Sequence, residues 1–244
     1  MELRFPGHTL PREQWTRTRV GLGPPGQRFQ WQAVFGRDAP HVVDLGCGNG
    51  RWLVSSALRR PEVDHLGIDL VPPAIRLGSL RAGQRGLRNV KLAWGDATEF
   101  ILERCEPASL DEVHVYHPQP HFEPAHRGRR QISPAVLLAV HRALRPGGML
   151  VFQTDNAAYA RYARRVVLAL FEWNEHEGPW EDHPEGRTLR EAVARRKGLA
   201  IVRATARRRE MEAGEAERRA GALPEPEFDA DRPAFRRRRP KGAR

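Results

Sequence analysis

Val42-Val43-Asp44-Leu45-Gly46-Cys47-Gly48-Asn49-Gly50 decides the fold of this 244-residue chain. The apolar run that opens at His41 reads as a buried strand over His41–Leu45, the glycines as a tight turn, and Arg51–Arg60 as the helix that follows. An open α/β sheet holds nucleotides at such a junction, because residues without a Cβ let the backbone approach a ligand and adopt positive φ. A dinucleotide fingerprint needs a third glycine three residues after the second, where Arg51 stands. The tighter spacing of Gly46, Gly48 and Gly50, with an acid two residues ahead, disfavours NAD.

Working outward, the pattern alternates. Strands are predicted at Asp64–Leu70, Asn89–Trp94 and Glu112–Tyr116, with helices at Pro73–Gln84 and Ala97–Arg104 between them. Helices of this length between apolar strands predict a doubly wound, mostly parallel sheet with helices on both faces. Beyond a proline- and histidine-rich loop, Gln131–Leu144 repeats Ile132, Val136, Leu137 and Val140 at helical spacing and is stopped by Pro146-Gly147-Gly148. A strand at Met149–Thr154, helices at Ala157–Phe171 and Arg187–Lys197, and a strand at Leu199–Thr205 complete the series. The domain is therefore expected over 41–209. A basic irregular arm, rich in proline and glycine, precedes it over 1–40, and a charged tail expected to lack order follows over 210–244.

Lysine plus arginine exceeds aspartate plus glutamate by 11, which argues for a polyanionic partner and fits nucleic acid. Only Lys91, Lys197 and Lys241 are lysines, so codon bias could raise arginine without a binding role, although arginine's planar fork suits phosphate. Cys47 and Cys105 are too few for a disulfide framework and have no zinc spacing, so a reducing cytoplasmic setting is expected. No apolar run approaches the ~20 residues of a membrane span. His114, His117, His121 and His126 match no familiar metal-ligand set, and no metal is expected.

Two further acids follow strand ends. Asp69 in Gly67-Ile68-Asp69-Leu70 lies nineteen positions after Gly50, where a carboxylate can accept from a ribose diol; Asp96 in Gly95-Asp96-Ala97 follows the third strand, beside where an adenine would lie. Each alone is as easily a helix N-cap. Together, Asp44, Asp69 and Asp96 resemble the acids of the seven-strand Rossmann-type methyltransferases, which use S-adenosyl-L-methionine. The resemblance implies that Asp44 faces the methionine end, Asp69 the ribose and Asp96 the base, with Gly46, Gly48 and Gly50 forming the turn.

A second set of motifs is more specific. Val115-Tyr116-His117-Pro118-Gln119-Pro120-His121, then His126-Arg127-Gly128-Arg129-Arg130, Arg145-Pro146-Gly147-Gly148, Thr154-Asp155 and Thr188-Leu189-Arg190-Glu191 are similar to the bacterial tRNA (guanine-N7-)-methyltransferase family over about Ala39 to Arg209. The resemblance implies methyl transfer to N7 of a guanine in the variable loop of tRNA. It places Asp155, Thr188 and Glu191 at the base, and Gln119 at the catalytic and cofactor-facing position of the family's Pro-Asp-Pro-Trp motif. It puts Glu123, Arg127, Arg129 and Arg130 against the substrate, the arginines meeting phosphates.

The chain departs from the family in having Gln119 for aspartate, His121 for tryptophan and Glu123 for lysine, and it lacks the family's aromatic-rich ending. Guanine N7 carries a lone pair and no proton, so the transfer depends on positioning more than on a base. Two alternatives stay open: a methyltransferase with a shifted substrate, and a tRNA-binding member whose catalysis has weakened or lapsed because of Gln119.

Overall fold

The computed structural model describes residues 5–24, 26–121, 126 and 130–225. Its centre is the segment read first. β2 (His41–Leu45) is buried at every position, as a strand covered on both faces must be, and a run of apolar side chains rather than an alternating pattern follows from that. Taking β1 (Arg19–Val20), β3 (Asp64–Asp69), β4 (Val90–Trp94), β5 (Leu110–Tyr116), β6 (Leu144–Thr154), β7 (Phe171–Glu175) and β8 (Val202–Arg208) with it, the order across the sheet is β1-β4-β3-β2-β5-β6-β8-β7. The first six are parallel, and β8 runs antiparallel between β6 and β7. Along the chain the sheet grows from β2 to one side through β3 and β4, then to the other from β5. The crevice between the ends of β2 and β5 is therefore the topological switch point, where open α/β sheets bind ligands.

The helices are α1 (Trp31–Phe35), α2 (Arg51–Arg59), α3 (Pro72–Gly83), α4 (Ala97–Glu99), α5 (Pro134–Ala143), α6 (Ala157–Val167), α7 (Leu189–Arg196) and α8 (Ala213–Gly221). Ser133, Asn156 and Thr188 cap α5, α6 and α7 through their side-chain oxygens. Two apolar clusters cover the sheet. One packs Phe100, Leu137, Val140, Phe152, Tyr159 and Val166 under α5 and α6, and the other packs Trp52, Leu53, Ile75 and Leu92 under α2 and α3. Exposed Arg161, Arg164 and Arg165 lie opposite the buried face of α6.

The structure corrects several boundaries. The expected irregular arm supplies β1, an eighth strand paired with β4, and buries Phe29 and Trp31 in the larger core. Pro146-Gly147-Gly148 does not precede a strand but sits inside β6, as a bulge between the Leu110–Leu144 and Glu112–Met149 pairs. The helix expected over Ala97–Arg104 is one α turn followed by a π turn at Phe100–Arg104. β7 begins where the Ala157–Phe171 helix was expected to end, because Phe171 is needed by the core from the strand side. Order does not end at Arg209: α8 packs on α5 and buries Ala216 and Ala220. Among the described residues no helix is long and apolar enough to cross a membrane, and no three His, Cys, Asp or Glu side chains are grouped as metal ligands.

Candidate active site

A cavity of about 1060 Å³ opens at the switch point. Its inner wall is the glycine turn from Gly46 to Asn49, and Gly50, expected at the cofactor, lies off that wall toward Leu92. Gly46, Gly48 and Gly50 have φ of 82°, 55° and 67°, the left-handed region that favours glycine. No atom lies within 4 Å of where a Gly48 Cβ would stand, so the backbone there faces open room. Gly46 and Cys47 donate their N–H groups to Ile68 O, tying the turn to β3, and Gly50 is the residue from which α2 starts.

Asp44 ends β2 beneath this turn, 2% exposed, and its Oδ1 has no hydrogen-bond partner. Burial and the neighbouring Asp69 push the Asp44 carboxyl well above the usual carboxylate range, against the pull of Arg187. Asp44 nonetheless lines the cavity, and an acid there with acceptor capacity unspent inside the protein is a place for a cationic donor from a ligand. Asp69 does not line the cavity. Its Oδ2 accepts from Gly48 N–H at 2.8 Å and its Oδ1 from Val71 N–H at 2.8 Å, so it fixes the turn from behind while staying half-buried. Asp96 caps α4 by accepting from the N–H groups of Thr98 and Glu99, and it too lies off the cavity wall.

The facing wall carries Gln119, Asp155 and Thr188. Gln119 is exposed and bonds to no described side chain or backbone group. The loop that presents it is unusual: of three non-glycine residues with positive φ among those described, two are His117 (φ 50°) and His121 (φ 45°), which bracket Pro118-Gln119-Pro120. Such conformations cost about 1–3 kcal/mol each and persist where the surroundings enforce them. Arg130 enforces this one, donating from Nε to Pro120 O and from Nη2 to His121 O, both at 2.7 Å. Arg130, expected at tRNA phosphates, is instead 2% exposed and turned inward, since two backbone carbonyls of the loop hold its guanidinium. Glu123, Arg127 and Arg129 lie outside the described residues.

Asp155 Oδ1 accepts from His117 Nδ1 at 3.0 Å and Oδ2 from Arg190 Nη2 at 2.6 Å. Burial opposes its charge, but these two partners outweigh burial and hold the carboxyl down at about 2. Thr188 caps α7, accepting from Glu191 N–H at 3.0 Å. Glu191 does not join it at the cavity. Fully buried, its Oε1 takes two N–H bonds from Arg203, at 3.1 and 2.6 Å, and its Oε2 takes Arg187 N–H at 2.7 Å. The Thr-Leu-Arg-Glu spacing is a capping box variant whose acid is spent inside the protein.

A polar and aromatic cluster beside the site was not read as part of it from the sequence. Arg187 stacks 4.0 Å from the Trp180 ring centre and donates to Tyr116 Oη at 2.8 Å and to Asp182 at 2.9 Å. Tyr116 meets His114 Nδ1 at 2.8 Å, His114 Nε2 meets Glu112 at 2.7 Å, and Arg60 closes the chain on Glu112 at 2.6 Å. Burial lowers His114 to about 4 despite Glu112, so the imidazole is neutral, donating from Nε2 and accepting from the Tyr116 hydroxyl. Of these, Tyr116 lines the cavity beside Trp52, whereas Arg60, Glu112, His114, Trp180 and Arg187 line a neighbouring pocket on the far side of Trp52. The aromatic ending of β5 was their one sequence signal, and nothing local ties Arg187 or Trp180 to it.

Residues 38–204 match the family described as "Putative methyltransferase". A tRNA (guanine-N(7)-)-methyltransferase of Alkalilimnicola ehrlichii is 33% identical over 80% of this chain and 84% of its own length. One from Alcanivorax borkumensis is 36% identical over 66% and 67%. Among solved structures, a 16S rRNA methyltransferase, KamB, aligns with a TM-score of 0.55 at 16% identity over 74% of this chain and 93% of that one, a likeness of fold. With its glycine turn, its switch-point cavity and these relatives, the chain belongs to the tRNA (guanine-N7-)-methyltransferase family.

Proposed function

We propose that this chain transfers the methyl group of S-adenosyl-L-methionine to N7 of a guanine in the variable loop of tRNA. The observation that carries the reading is a single cavity lined by the Gly46–Gly48 turn and Asp44 together with Gln119, Asp155 and Thr188. S-adenosyl-L-methionine fits the inner wall: it brings an ammonium for Asp44 and needs the close backbone approach that Gly48 allows. When bound, it supplies an electrophilic methyl group on a sulfonium.

The chain's own residues then have positional work. Asp44 binds cation, and Asp69 keeps the turn in shape through Gly48 N–H. Guanine N7 has no proton to lose, so no side chain need act as base, and Gln119 in place of a carboxylate is compatible with transfer. Its amide orients the base by donating and accepting. Asp155 accepts N–H from the base edge, with Thr188 beside it. Glu191 holds α7 against β8 rather than touching the base. The net charge of +11 supports a tRNA partner held through its phosphates, and two free cysteines suit a cytoplasmic setting.

Incubation with radiolabelled S-adenosyl-L-methionine and bulk tRNA, then nucleoside analysis, tests the reading. It expects 7-methylguanosine. A different methylated nucleoside, or cofactor binding without any product, would overturn it.

A further inference from the structure

The Asp155 carboxylate is held from within by a chain of donors whose direction is fixed. Trp180 has an indole N–H and nothing to accept with, and it donates to Gln153 Oε1. That places the Gln153 amide nitrogen against His117 Nε2, at 2.7 Å. Nε2 therefore accepts, the imidazole proton sits on Nδ1, and Nδ1–H donates to Asp155 Oδ1 at 3.0 Å. Gln153 is fully buried, and the His117 and Asp155 side chains are 5% and 8% exposed. A further bond, His117 N–H to Gln153 O at 2.6 Å, fastens the backbone of the same residue.

The outer side of Asp155 is different. Arg190, which meets Oδ2, is 57% exposed and free to swing into solvent. The carboxylate thus has one permanent partner and one exchangeable one, and the exchangeable side faces the cavity. A base edge presenting N–H groups can take the place of Arg190 without disturbing His117. His117 also starts the strained loop that presents Gln119, so one residue sets both the carboxylate and the amide of the facing wall.

We propose that His117 is a positioning residue for the methyl transfer, orienting Asp155 through its Nδ1–H so that the carboxylate accepts N–H groups of the base beside Gln119. This rests on the guanine reading above. Where the family has an acid at 119, this chain has a neutral amide, and Asp155 is the carboxylate of that wall which His117 keeps charged and aimed.

The test compares His117→Phe and His117→Asn with the parent, in the full chain, by steady-state methylation of bulk tRNA and by calorimetric binding of S-adenosyl-L-methionine. Phenylalanine keeps a ring and loses the donor. Asparagine keeps a side-chain N–H near the Nδ1 position and tolerates positive φ. A lost hydrogen bond to a charged group predicts a kcat lower by about 10- to 100-fold for His117→Phe, with cofactor affinity unchanged. His117→Asn should return to within about fivefold of the parent, a rescue that mere packing would not give. Parent-like kcat in His117→Phe, or equal losses in both variants with cofactor binding intact, would overturn the inference alone. No 7-methylguanosine from the parent would overturn the functional reading and this inference with it.

Discussion

Replacing Glu191 by alanine separates a residue that reads the base from one that holds the fold. Glu191 has no exposed surface; it accepts three N–H bonds, two from Arg203 and one from the backbone of Arg187. Arg203 is itself only 8% exposed on its side chain, so truncation leaves a guanidinium buried without its counter-charge. Breaking a buried pair from one side costs about 3–5 kcal/mol. At about 2–4 °C per kcal/mol for a chain of this size, Glu191→Ala should melt roughly 6–20 °C lower. Exchanging both partners, Glu191→Leu with Arg203→Met, removes both charges and should recover most of that loss, since apolar replacements of a buried pair are often neutral or better. Thermal unfolding of both variants by circular dichroism, with tRNA KM measured alongside, is the assay. An unchanged melting temperature in Glu191→Ala together with a raised KM would refute the structural assignment and return Glu191 to the base.

Asp44→Asn should weaken S-adenosyl-L-methionine binding by about 10- to 100-fold in calorimetry, because an amide, unlike the acid, cannot ionise to meet a bound cation. The same variant should melt no lower than the parent, as a neutral amide replaces an acid whose charged form burial and Asp69 already oppose; parent-like affinity would remove Asp44 from the cofactor site. His65 and His114, lowered to about 3 and about 4 mainly by burial, are neutral in the fold, while the unfolded chain protonates them near 6.5. The unfolded chain binds more protons between these values, so stability held above pH 6.5 falls as pH drops toward 4, by up to ~1.4 kcal/mol per pH unit for each histidine. A urea midpoint that stays flat from pH 6.5 to 4 would contradict this. Deleting 235–244, which removes Arg236–Arg239, Lys241 and Arg244, should flatten the salt dependence of tRNA binding, and an identical slope would make the tail a bystander.

The sequence by itself determined what depends on local periodicity and on glycine. The strand at His41–Leu45 falls where it was read, because a strand buried on both faces announces itself as an unbroken apolar run. The glycine turn follows from positive φ, and the parallel sheet from strands alternating with helices of crossover length. Asp44, Gly46, Gly48, Gln119, Asp155 and Thr188, drawn from separate motifs, line one cavity.

What the tertiary structure decided is where each side chain spends its hydrogen bonds. Glu191 and Arg130 look like a base reader and a phosphate contact along the chain; Arg203, twelve residues on, and the carbonyls of Pro120 and His121 claim them instead. Asp96 is taken by its own helix N-terminus, and Asp69 by the N–H of Gly48 across the turn. β1 and α8 escaped the sequence reading because short, charged segments gain their order from the faces they cover, β4 and α5, and not from their own composition. The His117–Gln153–Trp180 chain joins three residues from separate elements. Its direction follows from one indole that can only donate, a constraint that exists only once the fold has brought the three together.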